Sequence, residues 1–486
     1  MDRFDVTPTG RNGRATVAVL GAGISGLVAA YELQRLGHEV DVLEADERIG
    51  GRVFTHRFAG QDGPFAELGA MRIPVDHHLT LRYVDTLGLR GRLRPFRNVL
   101  SDPDNLLRVG GELVRVRNAA KPLIRYTEEL AGGRSHRPEA LLLVGWLHAT
   151  VRALAPRELR ELVRRDTGKL LAAAGRLDLT PYLKDDRPDL GAALRRHPEL
   201  WRACSSRLQS FLDDLIRESG TGMCHLAGGM DQLTEGLAAR LRRPVLTGHA
   251  ISGIDVRRDE VRVRLGRRGR AVGYPVVLCT IPFAVLRHLP LTGVEADKLD
   301  VISTLDYSPA TKVGVHCRRA FWADQGITGG GSAPGGRVRQ TYYGTTGKDP
   351  SRGAALLGSY TIAEDADLLG RLPEPARHAA VLHELRDLHP EFGRPGMVRD
   401  VVSVAWGERP WHRGCAARRW GMSATALARE VERAARPQGR LFFAGEHCSP
   451  APAWLNAGIA STLEAVPRID DLARRTGAWY DAGRSA

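Results

Sequence analysis

Three glycines carry the clearest chemistry in this chain. Gly21, Gly23 and Gly26 stand at G-x-G-x-x-G spacing, after an apolar run at 17–20 and before a helical pattern at 27–36. The first permits a tight turn, the second lets a pyrophosphate approach the backbone, and the third lets the helix pack close on the strand. The start of that helix aims backbone N–H groups and a partial positive charge at whatever lies above the turn. A second apolar strand, 40–43, ends in Glu44. This carboxylate lies about twenty residues past the glycines, where it can accept both ribose hydroxyls of an adenosine. Strand, triplet, helix, strand and acid in register predict a dinucleotide site; a chance glycine-rich turn is the alternative.

Arg48-Ile49-Gly50-Gly51-Arg52 follows at once. Gly50 and Gly51 permit close backbone approach, and Arg52 can pair with phosphate oxygens. The competing reading is a solvated basic loop. Lys312 is one of only six lysines, and it sits in a run, 309–315, that is otherwise small and apolar. A buried ammonium is costly, so a lysine there needs a partner or a purpose, unless the strand edge faces solvent.

The elements that must position these residues can be read in order. Residues 65–74, which include Gly69, Ala70, Met71 and Arg72, form a non-periodic loop, and 77–87 read as a helix stopped by Gly88. Hairpin strands are expected within 94–117 around Gly110 and Gly111. Helical periodicity with proline punctuation fills 119–217, where His148 and His197 lack ligand-spaced partners. A glycine turn at 225–232 leads into a helix at 233–241, and a β-rich run begins at Val245. It ends in the strand 275–282, the second crossover of a doubly wound sheet reached after a long insertion. Strands at 312–317, 354–361 and 398–406 flank a helix at 376–388, and the glycine-rich stretch 326–336 is expected to be a mobile loop. A last strand, 440–446, ends in Gly445 and Glu446, before Pro452-Ala453-Trp454-Leu455 and a helix of small residues.

At 486 residues the chain exceeds one compact core, and 43% hydrophobic with 26% charged residues is an ordinary globular composition. No apolar run approaches the roughly 18 residues of a membrane span. The opening MDRFDVTPTGRNGR lacks the apolar core of a secretory signal, so a cytoplasmic protein without a membrane partner is expected. Six cysteines without a C-x-x-C pair fit reduced thiols and no metal site. The net charge of +14 invites a nucleic-acid reading. Against it, the excess is nearly all arginine and is spread along the chain. Its densest cluster, 257–270, alternates with Val261, Val263 and Leu265 as a surface hairpin does, so no nucleic-acid partner is expected.

With these pieces in place, the chain resembles the flavin-dependent L-amino acid oxidases of the flavin (mono)amine oxidase superfamily, over about 17–467 and least in the helical insertion. The motifs that carry the likeness are the glycine triplet with Glu44, RIGGR, LGAMRIP, and FFAGEH with AWLNAG. The resemblance implies FAD and an α/β fold. Its FAD-binding doubly wound (Rossmann-like) domain would be built from the discontinuous segments 14–60, 223–298 and 436–475. A mixed α+β substrate domain (61–118, 299–435) and a helical insertion (119–222) would complete it. It further implies FAD contacts from Ile24 and Ser25 in the turn, Glu44 with Ala45, Gly51 and Arg52, Gly69 to Arg72, the main chain of Val245, and Gly445 with Glu446. Trp454 and Leu455 would lie along the isoalloxazine, with the Trp454 ring in the substrate pocket. Ala453 stands where the family usually has glycine, and its methyl would narrow the cavity.

By the same resemblance Arg72 forks onto a substrate α-carboxylate, Tyr360 is its hydroxyl partner, and Lys312 holds a water at flavin N5. The implied reaction is oxidation of an L-α-amino acid by hydride transfer from Cα to N5. It yields a 2-oxo acid, ammonia and, with O₂, hydrogen peroxide. An amine or polyamine oxidase, an amino acid monooxygenase, or a biosynthetic oxidase of a tailored amine or amide remain alternatives, as does a non-catalytic FAD protein. The implied partners are a small amino acid or amine and O₂; a homodimer is left open. Asp213 and Asp214 fall near the family's substrate pocket or on a solvated helix face. Cys415 lies where monoamine oxidases carry a flavin-linked cysteine, but non-covalent FAD is the expectation.

Overall fold

The computed structural model describes residues 15–484, apart from 185, 203, 220–221, 267–268 and 347–348. The reading of the first fourteen residues therefore lies outside the described residues. The organising sheet is parallel and four-stranded, in the order Glu39–Leu43, Thr16–Leu20, Val276–Cys279, Leu441–Phe443. Val17 pairs with Val40 on one side and Val276 on the other, and Leu278 pairs with Phe442. The strands Thr16–Leu20, Val276–Cys279 and Leu441–Phe443 are covered on both faces, which is why they read as continuous apolar runs. The edge strand Glu39–Leu43 alternates, with Glu39 exposed. The helix Ile24–Arg35 packs on one face beside the C-terminal helix Leu455–Arg484, with Leu27, Leu33, Leu463 and Ile469 fully buried between them and the sheet. A Cβ on Gly26 would lie 1.9 Å from the Gly21 carbonyl oxygen, so only glycine lets this helix start so close to the turn.

A mixed seven-stranded sheet stands apart from the first. Its order is Val398–Ala405, Ala310–Cys317, Ala354–Ile362, Arg339–Thr346, Gly331–Gly335, Leu106–Val109, Glu112–Arg115. Register places Lys312 opposite Tyr360 on one neighbour and Val404 on the other. The helices between Ala120–Leu130 and Ser206–Ser219 build a core of their own around Leu143, Val151, Leu159, Leu194 and Leu212. Buried Arg339 ties these helices to the sheet by donating from Nε to the Ala153 carbonyl at 3.2 Å.

Two expectations need correction. The stretch 326–336 is not a free loop: Gly331–Gly335 is a strand paired with Arg339–Thr346, and Ile327, Ser332 and Ala333 are buried. Its glycines serve turns and close packing, a use that composition cannot separate from mobility. The helix His78–Thr86, placed by sequence in a substrate segment, buries Leu79, Tyr83 and Val84 in the dinucleotide-domain core. The Tyr83 hydroxyl donates to buried Glu32 of the helix Ile24–Arg35 at 2.6 Å.

Candidate active site

A cavity of about 370 Å³ opens where the carboxyl ends of the parallel strands face the seven-stranded sheet. Gly21, Gly23, Ile24, Ser25, Glu44 and Ala45 line its dinucleotide side, with Gly51 and Arg52. Gly69, Ala70, Met71, Arg72, Lys312 and Tyr360 line the substrate-sheet side. Gly445, Glu446, Ala453, Trp454 and Leu455 close the wall between them.

Of the cofactor contacts named from sequence, Gly26 and Val245 do not line it. Gly26 acts through helix packing, as described above. Val245 is not among the lining residues, and the strand of the β-rich run begins at Ile251. The main chain beside Val245 extends the parallel sheet instead: Leu246 N donates to Val42 O and Leu246 O accepts from Glu44 N. Ile251 lines the cavity.

The donor set on the dinucleotide side fits FAD. The helix Ile24–Arg35 has Gly23 as its N-cap and no side chain bonded to its first amides. A Cβ on Gly51 would come 3.2 Å from the Gly23 Cα, so the two glycine loops meet as a floor free of side chains. Glu44 is fixed at its rim by the Ala22 amide at 2.6 Å and the Asp46 amide at 2.9 Å. Burial nevertheless raises its pKa, which a pair of ribose hydroxyl donors would counter. Glu44→Gln is expected to weaken FAD binding by about 1–2 kcal/mol. An unchanged dissociation constant on reconstituting apoprotein would remove Glu44 from the ribose site.

Arg52 is not simply a phosphate ligand. Its Nη1 donates to Glu446 Oε1 at 2.7 Å and to the Cys415 carbonyl at 2.9 Å. Burial alone would raise the Glu446 pKa, but the charge and hydrogen bond of Arg52, together with His447 and the Ala417 amide, outweigh it and the carboxyl ends below its usual range. The same carboxylate accepts from Ala453 N at 3.3 Å, holding the turn that presents Trp454. Ala453 sits in that turn at φ 73°, a left-handed value that costs a non-glycine residue roughly 1–2 kcal/mol. Ala453→Gly should therefore raise stability by about 0.5 kcal/mol after the extra chain entropy of glycine is subtracted. A lower Tm would show that the methyl's packing outweighs the strain.

Lys312 is buried, with Nζ donating to Gly69 O at 2.6 Å, Glu67 O at 3.3 Å and Met71 Sδ at 3.4 Å. It lies 4.5 Å from the centre of the Tyr360 ring. Burial pulls its pKa down to about 7 and pushes the neighbouring Glu67 carboxyl up to about 8. Arg72 Nη1 donates to Asn98 Oδ1 at 2.7 Å, and its guanidinium stands 5.6 Å from the Trp454 ring centre. Burial also keeps the Tyr360 phenol protonated.

Sequence reading missed Asn98, which lies in an irregular stretch with no local signature. It also missed Trp406, whose Nε1 donates to Leu68 O at 2.8 Å and which lines the cavity. Asp213 and Asp214 do not line the cavity; Asp214 accepts from Trp420 Nε1 at 3.1 Å. Cys415 does line it, but burial pushes its thiol up to about 11, which leaves little thiolate to attack a flavin. Among the described residues no group of three or more His, Cys, Asp or Glu is placed to hold a metal. Nor is any helix there long and apolar enough to cross a membrane.

A Rossmann-like sheet with a glycine floor, joined to a substrate sheet that carries a buried lysine, defines an FAD-dependent oxidoreductase. The chain belongs to the flavin-containing amine oxidoreductase family, whose sequence profile matches residues 24–465. It acts on CH–NH2 groups and takes FAD as its cofactor. It is 48% identical over 465 residues to the flavin-dependent L-tryptophan oxidase RebO of Lentzea aerocolonigenes, covering 94% of this chain and 98% of that protein. The mouse L-amino-acid oxidase is 29% identical over 94% of this chain and 70% of its own length. The cyclohexylamine oxidase of Brevibacterium oxydans shares the fold, with a TM-score of 0.63 at 20% identity over 94% of this chain and 99% of that one.

Proposed function

We propose that the protein oxidises the Cα–N bond of an L-α-amino acid, with L-tryptophan the first candidate. The products are the 2-oxo acid, ammonia and hydrogen peroxide. The observation that carries this reading is Arg72, a guanidinium in the cavity wall beside Trp454 and near Tyr360 and Lys312. A planar fork at that place matches a carboxylate, which a simple amine lacks. The 48% identity to an L-tryptophan oxidase supports the same substrate class and an indole side chain.

The residues of this chain bind, orient and exclude water. Arg72 takes the carboxylate, and Tyr360 offers it a neutral hydroxyl. Trp454, held through Ala453 by Glu446, walls the reacting carbon. Lys312 places positive charge where the reaction changes charge, and a water in the cavity can displace its long contacts to Glu67 O or Met71 Sδ. No side-chain base is required if the substrate amine binds neutral. FAD, when bound, supplies the two-electron acceptor and passes those electrons to O₂.

A peroxide-release screen over the twenty L-amino acids, tryptamine and common amines tests the proposal. L-Tryptophan or another L-amino acid should lead. A decarboxylated amine that outperforms every amino acid would replace this reading with an amine oxidase.

A further inference from the structure

We propose that Asn98 is a positioning residue for the substrate carboxylate: its side-chain amide aims the Arg72 guanidinium, and the glycine-rich segment 328–331 holds it there. The inference rests on the amino acid reading above. Arg72 Nη1 donates to Asn98 Oδ1 at 2.7 Å. A guanidinium carries only donors, so the amide must turn its oxygen to Arg72 and its orientation is fixed by chemistry. Holding one terminal nitrogen sets the plane of the whole fork. A bidentate contact needs that plane held to within about 10–20°.

The loop that carries Asn98 is tied on every side. Phe96 N donates to Met223 O at 2.8 Å, and Ser101 N donates to Asn98 O at 3.2 Å. Leu100 N donates to Gly331 O at 2.7 Å, and Val99 bridges Gly331. Arg97 Nη1 reaches Thr328 Oγ1 at 2.6 Å, and Asn105 Nδ2 reaches Gly329 O at 2.9 Å. A Cβ on Gly330 would strike Asn105 Oδ1 at 2.6 Å and Ser101 Oγ at 2.8 Å and crowd the Asn98 carbonyl oxygen at 3.2 Å, so only a glycine lets this segment lie against the loop. Leu100, two residues from Asn98, is buried at φ 62°. A leucine keeps such a conformation only where its surroundings over-determine it, and such strain gathers at functional sites. The stretch that composition marks as loose is thus the anchor of the carboxylate clamp.

Two variants of the FAD-loaded enzyme test this. Asn98→Leu keeps the side-chain size but removes the acceptor; Asn98→Asp keeps the acceptor and adds a charge that competes for Arg72. Calorimetric titration with indole-3-propionate, which has the carboxylate but no amine, is compared with tryptamine, which has the reverse. Both variants should bind indole-3-propionate about tenfold more weakly, as expected for one hydrogen bond to a charged group. KM for L-tryptophan should rise by about the same factor. Tryptamine affinity should stay within about twofold, and FAD content should not change. Equal weakening of both ligands would make the loop merely structural, and no change in either would remove Asn98 from the clamp. If Asn98→Leu fails to fold, Asn98→Asp alone decides by the same selectivity. A parent enzyme without Arg72-dependent turnover of any L-amino acid overturns the functional reading itself. A parent that has such turnover, with unselective Asn98 variants, overturns only this inference.

Discussion

Arg72→Met is expected to lower kcat/KM for the preferred L-amino acid by about 2–5 kcal/mol, the range for truncating one partner of a desolvated charge pair. Each 1.4 kcal/mol is about tenfold, so the loss spans roughly one to four decades. Arg72→Lys keeps the charge but not the fork, and its loss should be smaller but still clear. Tyr360→Phe should cost less again, about 1–2 kcal/mol for one hydrogen bond to a charged group. The deficit should fall on kcat as well as KM, because the clamp also sets how the Cα–H bond is presented. Tryptamine separates the two readings of Arg72. If the arginine serves the carboxylate, the amine is a poor substrate of the parent and loses little further in Arg72→Met. If the amine falls as steeply as the amino acid, Arg72 is holding the wall through Asn98 and Trp454 and binds no substrate group.

The elements around the cofactor were legible because each follows a local rule. The strand Thr16–Leu20, the helix Ile24–Arg35 and Glu44 follow a periodicity, a glycine spacing and an acid position that together read as a dinucleotide turn. Lys312 was legible for a similar reason: a charge in a run of small apolar residues contradicts its surroundings, and the structure buries it. What stayed hidden is non-local. Asn98 gains meaning only from Arg72, 26 residues away, and from Gly331 across the sheet. The Arg52–Glu446 pair spans 394 residues, so a basic residue in a phosphate-like motif gave no hint of its carboxylate partner. The strand Ile251–Val256 starts six residues after Val245, and the main chain beside Val245 gains its partners only from Val42 and Glu44, far earlier in the chain. The glycines of 326–336 could mark mobility or close packing, and only the partners distinguish the two.

Lys312→Met should retain FAD while slowing one half-reaction by about 10², the scale for removing one preorganised charge or donor from a site where charge changes. Rapid mixing separates substrate oxidation from reoxidation by O₂ and shows which one the lysine serves. Equal rates in both half-reactions would make Lys312 a structural residue. pH adds an independent readout. Burial lowers the ammonium pKa to about 7, against about 10.4 in an unfolded chain, so the folded protein gives up this proton first as pH rises. The half-reaction that depends on the charge should therefore fall as pH climbs through about 7, and in Lys312→Met that step should vanish from the profile. Stability follows the same linkage. Between pH 7 and about 10 the unfolded chain binds more protons than the folded one at this position, so the lysine's contribution to stability improves with pH across that window. The Tm of the parent relative to Lys312→Met should rise from pH 7 toward pH 10. A difference that stays flat or shrinks would mean that Lys312 keeps its proton throughout. Its contacts to Gly69 O, Glu67 O and Met71 Sδ would then outweigh its burial.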